Sequence, residues 1–147
     1  MDTFQPLNHY LDDWVYGHAE RLDVAETIRA LIEGCVKIKD HVARTGLNYD
    51  SAKIVGDNSD GDAQKGLDVL ANKILINHLQ DQPVAQILSE ELEGPIVIDS
   101  KAELIVAFDP LDGSSNIDTN VSVGTIFAIY ITDDGQPAAA ANCEALK

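Results

Sequence analysis

The hydrophobic positions in the first third of the chain repeat with the period of an α-helix. From Asp23 to Thr45 apolar residues recur every three or four positions, which predicts an amphipathic helix. The apolar positions are Val24, Ile28, Leu31, Ile32, Cys35, Ile38 and Val42. Asp23 and Glu26 predict a capping box at the start of this helix, and Gly46 predicts its end. A shorter helix is expected around Tyr10 to Ala19.

After residue 46 the pattern changes to loops, a second helix and short apolar runs. Clusters of Gly, Asn, Ser and Asp predict a loop around a short strand at Lys53–Val55. A helix is expected from about Asp62 to Gln80, with Leu67, Leu70, Ile74 and Leu79 on its buried stripe. The expected strands are Val84–Leu88, Ile96–Ile98, Leu104–Phe108 and a run from Val121 to Ile131 that ends at an Asp134-Gly135 turn. Helices followed by mixed strands and helices predict a layered α/β or α+β domain.

Composition and charge narrow the class of protein. The chain is 45% hydrophobic and 24% charged, which is typical of a folded globular domain. Its formal net charge of −15 argues against nucleic acid or an anionic membrane as a partner, and leaves a solvated acidic surface or cation binding as explanations. Cys35 and Cys143 lack a paired spacing, which favours free thiols, and the N-terminus lacks a signal-peptide pattern. We therefore expect a cytoplasmic location.

The candidate chemistry is concentrated in the ten residues from Asp109 to Asp118, which follow an apolar strand. Ligands of α/β sheets gather at the carboxyl ends of strands, where Asp109 is expected. Pro110 predicts a β-turn that brings the carboxylates of Asp109 and Asp112 together, with the carbonyl of Leu111 at its apex. Two carboxylates and a carbonyl are the hard oxygen ligands that Mg²⁺ or Mn²⁺ prefers. The alternative is an ordinary Asp-Pro turn before a polar helix cap.

The residues after this turn offer donors to an anion. Gly113, Ser114 and Ser115 combine backbone N–H groups with two hydroxyls, in a position compatible with the start of a short helix. Such an arrangement can hold a phosphate group beside a metal ion.

Two further acidic pairs precede this segment. Glu90 and Glu91 follow an apolar strand, and adjacent side chains there point in different directions. One can ligate a metal while the other activates water, although a solvated acidic loop is the alternative. Asp62 and Asp68 lie six residues apart on the second predicted helix. For Asp62, capping of the helix start is as good an explanation as a functional role. For Asp68, which lies beside apolar neighbours, a position on a solvated face is a less convincing alternative to a functional role.

The full set of motifs resembles one family. Asp109 to Gly113 is similar to the signature of the lithium-sensitive phosphatase superfamily. The continuation to Asp118, followed by Val121 to Phe127, resembles class I fructose-1,6-bisphosphatases of bacterial type. The segments Gly61 to Asn72 and Ser89 to Glu91 agree with this family in order and spacing. The resemblance covers about residues 20 to 131 and implies the sugar-phosphatase fold.

The resemblance also implies roles for individual residues. The implied Mg²⁺ ligands, with Mn²⁺ as a possible substitute, are Glu90, Asp109, Asp112, the carbonyl of Leu111 and, in an assisting role, Asp62. Asp68 and Glu91 are implied to orient and deprotonate the attacking water. Asp112, Gly113, Ser114 and Ser115 are implied to hold the 1-phosphate of the sugar bisphosphate. The implied reaction is hydrolysis of fructose 1,6-bisphosphate to fructose 6-phosphate and phosphate, in gluconeogenesis or the Calvin cycle.

Members of this family are considerably longer, and their second half carries a further metal-binding Glu and the residues that grip the sugar. We therefore expect residues 1–147 to be the N-terminal, metal-binding part of such a protein, with a helical lead-in over 1–50 and the metal- and phosphate-binding part over 51–147. A fragment of this kind is expected to be inactive alone, while the full-length family member is expected to form a tetramer. The alternatives are an inositol or sedoheptulose-bisphosphate phosphatase, or a non-catalytic Mg²⁺-binding short subunit.

Overall fold

The computed structural model describes residues 4–52, 60–114 and 122–132. Within its helices, the side chains of 45–52 and 60–64 are outside the description. The elements in chain order are α1 (Leu7–Val15), a short 3-10 helix (Ala19–Arg21), α2 (Leu22–Ala52), α3 (Asp60–Leu79), β1 (Val84–Ser89), β2 (Ile96–Val97), β3 (Leu104–Asp112) and β4 (Gly124–Ile131). The expected strand at Lys53–Val55 and the expected turn at Asp134-Gly135 fall outside the described residues.

The long helix α2 confirms the amphipathic pattern, but both of its predicted ends are wrong. It begins at Leu22 directly after the 3-10 helix, so Asp23 lies within its first turn and is not the capping residue. It also runs through Gly46 to Ala52. A glycine inside a helix costs about 1 kcal/mol relative to alanine, which is too little to end a helix by itself.

The N-terminal helix α1 begins at Leu7, before the predicted Tyr10, and ends at Val15, before the predicted Ala19. It ends early because the chain turns at Gly17, whose φ of 76° favours glycine. It is held against α2 by the guanidinium of Arg29. One Arg29 nitrogen donates to Asp12 Oδ1 at 2.7 Å, and another donates to Asn8 Oδ1 at 2.9 Å. The Arg21 guanidinium also lies 5.2 Å from the ring centroid of Trp14, a cation–π distance.

The helices α2 and α3 approach closely at Gly34. A Cβ at that position would lie 2.7 Å from Cδ2 of Leu75, which is fully buried on α3. The absence of a side chain at Gly34 therefore lets α3 pack tightly between α2 and the sheet. The buried stripe of α3 includes the predicted Leu67 and Leu79.

The four strands form one sheet in the order β2-β1-β3-β4. The central pair, β1 and β3, is parallel, with Ser89 opposite Phe108, whereas β2 and β4 pair antiparallel on the two outer sides. A sheet with helices on one of its faces confirms the predicted mixed α/β architecture. Because β1 and β3 are parallel, their carboxyl ends meet at the same edge of the sheet.

The hydrophobic core lies between this sheet and the helices α2 and α3. Its buried members are Leu31, Ile38, Leu67, Ala71, Leu75, Leu79, Val84, Ile87, Leu104, Val106, Phe108 and Leu111. In the part of the chain that the structure describes, no helix is both long and apolar enough to cross a membrane.

Candidate active site

The parallel pairing of β1 with β3 brings two of the predicted acids together. The backbone N–H of Glu90, one residue after β1, donates to the carbonyl of Phe108 at 3.2 Å. Glu90 is therefore held beside Asp109, the next residue of β3. The sequence predicted both residues at strand ends, but β3 continues past Asp109 to Asp112. The parallel pairing, whose last partners are Ser89 and Phe108, puts the end of β1 beside Asp109.

The segment that follows Asp109 is a bulge in β3 and not the predicted β-turn. The strand continues to Asp112, and its register against β4 shifts between Asp109 and Asp112. Pro110 fits at this shift because it has no N–H for a ladder hydrogen bond. Its carbonyl accepts a hydrogen bond from the Thr125 hydroxyl at 3.0 Å, and Asp109 Oδ1 accepts one from the N–H of Leu111 at 3.1 Å. The second bond fixes the orientation of the Asp109 carboxylate.

The carboxyl groups of Glu90 and Asp109 are close enough to share a proton. A hydrogen bond with Asp109 raises the pKa of Glu90 above its ordinary value, and partial burial adds to this effect. The negative charges of Asp109, Glu91 and Asp112 raise the pKa of Glu90 further. Two acids in such proximity repel each other at neutral pH unless a proton or a cation lies between them.

The carboxylate of Asp68 reaches the same region from α3. It accepts a hydrogen bond from the Ser114 hydroxyl at 3.2 Å, across 46 positions of sequence. Burial raises the pKa of Asp68, the bond from Ser114 opposes this, and the charge of Asp109 adds to the increase. Asp68 is therefore a half-buried carboxyl group with an enhanced affinity for a proton.

Two residues beside the candidate acids, Ser89 and Asn72, were not predicted from the sequence to have a role in the site. The fully buried hydroxyl of Ser89 donates to Oδ1 of Asn72 on α3 at 2.8 Å, and it accepts a hydrogen bond from the N–H of Glu91 at 3.3 Å. Asn72 lies four residues after Asp68, on the same face of the helix. That spacing, together with the position of Ser89 directly before the two glutamates, was the available signal.

The remaining predicted residues contribute less to the described geometry. Glu91 and Asp112 are exposed, and the side chain of Leu111 is buried in the core. Gly113 adopts a φ of 78°, which favours glycine where the chain leaves β3. The side chain of Asp62, in the first turn of α3, and the whole of Ser115 lie outside the described residues.

The residues present offer a divalent cation two neighbouring carboxylates. Oxygen donors of this type are those that Mg²⁺ and Mn²⁺ select. Among the described residues, no group of three or more His, Cys, Asp or Glu side chains is gathered tightly enough to hold an ion. Glu91 and Asp112 act on Glu90 through their negative charges. The described part supplies a carboxylate pair that fits a hard cation as part of its ligand set.

A cavity of about 240 Å³ adjoins the carboxylate pair. Glu90 and Asp109 line it together with side chains of β3 and β4, among them the exposed Ile126 and Tyr130. A larger cavity of about 440 Å³ lies between α2 and the start of β4, but it is mainly apolar and contains no acidic residue. The smaller cavity is therefore the one that adjoins the candidate acids.

Comparison with known proteins identifies the family. The family model described as fructose-1-6-bisphosphatase, N-terminal domain, matches residues 16–144. This chain belongs to the fructose-1,6-bisphosphatase family. The match confirms the resemblance found in the sequence, and the family is one of metal-dependent phosphatases.

Individual members of the fructose-1,6-bisphosphatase family align with most of the chain. A class 1 fructose-1,6-bisphosphatase of Azorhizobium caulinodans is 50% identical over 139 residues, covering 91% of this chain and 42% of that protein. One from Xanthobacter autotrophicus is 45% identical over 129 residues, covering 88% of this chain and 35% of that protein. The chain therefore spans about two fifths of the length of these relatives.

Solved structures of the family share the fold. The crystal structure of Leishmania major fructose-1,6-bisphosphatase in holo form superposes with a TM-score of 0.75 at 28% sequence identity. It covers 98% of this chain and 43% of the crystallised chain. The apo form gives a TM-score of 0.73. The arrangement of helices and sheet in this chain is thus that of fructose-1,6-bisphosphatases.

Proposed function

We propose that this chain forms the acidic part of the active site of a Mg²⁺-dependent phosphatase that hydrolyses the 1-phosphate of fructose 1,6-bisphosphate. The observation that carries the proposal is the pairing of the Glu90 and Asp109 carboxyl groups at the point where β1 ends beside β3. Family membership supplies the substrate class, since the relatives named above are fructose-1,6-bisphosphatases.

Glu90 and Asp109 would hold the metal ion, and Asp112, the carbonyl of Leu111 and Asp62 are proposed to complete its ligand set. When bound, Mg²⁺ or Mn²⁺ supplies polarisation of the phosphoryl oxygens, a lowered pKa of water and neutralisation of the leaving alkoxide. The proposal agrees with the net charge of −15, because such a cluster of acids requires a cation to be favourable at neutral pH.

The protein's own residues would orient and deprotonate the attacking water. Asp68 suits the task because burial raises its pKa, which strengthens it as a proton acceptor. Its bond to Ser114 links this base to the segment Gly113–Ser115, which together with Asp112 is proposed to hold the 1-phosphate. Glu91, exposed beside Glu90, is proposed as the second member of the base pair.

Turnover is proposed to require residues in addition to those of this chain. Because the chain spans about two fifths of its relatives, we propose that residues 1–147 alone show little or no turnover. A complete protein is proposed to act as a cytoplasmic homo-tetramer in gluconeogenesis or the Calvin cycle.

Metal binding by the chain itself tests the central claim. Mn²⁺, which reports its own binding by electron paramagnetic resonance, is titrated into the chain and displaced with Mg²⁺. Asp109→Asn should abolish this binding. Asp81→Asn should leave it unchanged, because it removes one negative charge from an exposed turn after α3. Equal binding by both variants would contradict the proposed site.

Phosphate release from fructose 1,6-bisphosphate, assayed with Mg²⁺ on the same proteins, tests the proposed need for further residues. Absence of turnover from folded, Mn²⁺-binding chain agrees with the proposal. Turnover that disappears in Asp109→Asn would refute the inactivity of this chain while supporting the phosphatase site. Turnover that survives in Asp109→Asn would contradict both.

A further inference from the structure

We propose that Asn72 and Ser89 are positioning residues, which anchor the Glu90-Glu91 segment to α3 so that Glu90 is presented to Asp109 and to the metal ion. This inference rests on the proposed function, because it assigns a role in the same site. It concerns two residues that are not themselves expected to touch metal or substrate.

Burial makes the side chains of Ser89 and Asn72 depend on each other for a hydrogen bond. Ser89 is fully buried and Asn72 is 8% exposed. A polar group removed from water must find a partner inside the protein, and here the partners are the two side chains themselves. Their 2.8 Å hydrogen bond therefore specifies one position of α3 relative to the end of β1.

The hydroxyl of Ser89 takes part in two hydrogen bonds. While its proton goes to Asn72, its oxygen accepts the N–H of Glu91 at 3.3 Å. The N–H of Glu90 is held from the other side by the carbonyl of Phe108 at 3.2 Å. The backbone of both glutamates is thus fixed at two consecutive N–H groups, where the chain leaves the sheet.

The spacing along α3 connects Asn72 with the proposed base. Asp68 and Asn72 lie four residues apart and therefore project from the same face of the helix. Asp68 contacts Ser114 beyond the end of β3, and Asn72 contacts Ser89 at the end of β1. One helix face consequently ties together the ends of both parallel strands. The anchor would set the distance from the proposed base Asp68 to the carboxylate pair.

The test uses the 147-residue chain and two removals of the anchor. Ser89→Ala deletes the hydroxyl, and Asn72→Ala deletes its acceptor while leaving Ser89 in place. The matched control is Thr27→Val, because Thr27 is also fully buried and its hydroxyl donates to the carbonyl of Asp23 at 2.7 Å, within α2. The control loses a buried hydroxyl bond without touching the Glu90-Glu91 segment.

Two readouts separate positioning from a merely structural role. The first is amide hydrogen exchange at Glu91 by nuclear magnetic resonance, which needs no metal. We expect Ser89→Ala to accelerate it at least tenfold relative to core amides of β3. The second is the dissociation constant of Mn²⁺, which we expect to rise at least threefold in Ser89→Ala and in Asn72→Ala. Thr27→Val should change neither readout.

Each result decides one claim. If Glu91 exchanges equally fast in Ser89→Ala and Thr27→Val, the anchor is refuted whatever the metal does. If exchange accelerates while Mn²⁺ affinity stays that of the control, the anchor does not position the metal site and the inference fails. If the unaltered chain binds no Mn²⁺, the metal site of the proposed function fails, and the exchange data still decide whether the anchor holds the segment.

Discussion

The substitution Asp109→Asn tests the energetic consequence of placing two carboxylates together. Asparagine keeps the side-chain oxygen that accepts the 3.1 Å hydrogen bond from the N–H of Leu111, so the bulge of β3 should survive. The change removes the negative charge that faces Glu90. In the absence of a divalent cation, we therefore expect the variant to be more stable than the parent chain at neutral pH.

The magnitude follows from Coulomb's law and partial exposure. Two unit charges about 4 Å apart repel by about 4 kcal/mol near a protein surface and by about 1 kcal/mol in bulk water. Glu90 and Asp109 are both only partly buried, so solvent screens their repulsion towards the lower value. We expect a gain of about 1 kcal/mol in the free energy of unfolding, or roughly 3–4 °C in melting temperature.

Urea and thermal unfolding in EDTA at low salt measure this gain, with Asp81→Asn as the control for net charge. The gain should shrink in about 1 M salt, where the screening length falls to about 3 Å. It should also shrink at acidic pH, because the raised pKa of Glu90 means that this group takes up a proton early as the pH falls. Saturating Mg²⁺ should reverse the order of stability, since a ligand present at about 100 times its dissociation constant adds about 2.7 kcal/mol to the parent alone.

The reasoning fails if Asp109→Asn lowers the stability in EDTA by an amount that depends on neither salt nor pH. That outcome would mean that the hydrogen bonds of the carboxylate outweigh its repulsion with Glu90. A gain equal to that of Asp81→Asn would likewise assign the effect to the net charge of the whole chain.

Three further predictions concern packing, helix docking and pH. Gly34→Ala places a Cβ 2.7 Å from Leu75 Cδ2. Overpacking should cost about 1–3 kcal/mol, more than the gain of about 1 kcal/mol in helix propensity, so urea unfolding should show a lower free energy of unfolding. This loss should disappear when the same change is made in a Leu75→Val background. Arg29→Met keeps the apolar stem of the side chain but loses the bonds to α1. It should lower the free energy of unfolding by about 1 kcal/mol in the same assay, because the contact is partly exposed. A loss above about 3 kcal/mol would contradict this partial exposure. The raised pKa of Asp68 stabilises the fold below the ordinary carboxyl pKa of about 4, and this contribution is lost as the pH rises. Without divalent cations, Asp68→Asn should therefore lose less stability than the parent between about pH 4 and pH 7, and an unchanged pH profile would contradict the burial of this carboxyl group.

The sequence predicted the elements whose signal is local. The period of apolar residues located α2 and α3, and short apolar runs located β1 and β3, because burial of one face is written into the spacing of side chains. The acids from Asp109 to Asp112 also stood out, since their type and order are local.

Features that depend on a partner segment were not predictable in this way. Pro110 sits in a bulge and not in a turn, because the register of β4 decides how the chain leaves β3. Local propensities of about 1 kcal/mol are readily outweighed by tertiary contacts.

The sequence by itself determined the family, the approximate positions of the helices α2 and α3 and of the strands β1 and β3, and the acids of the proposed site. Only the tertiary structure decided that β1 and β3 are parallel neighbours, which places Glu90 against Asp109, and that Asn72 meets Ser89 across 17 positions. The physical reason is that a carboxylate pair and a buried hydrogen bond form only when residues that are far apart in the sequence lie close together in space. Those distances arise from the packing of α3 on the sheet, which no local pattern of residues encodes.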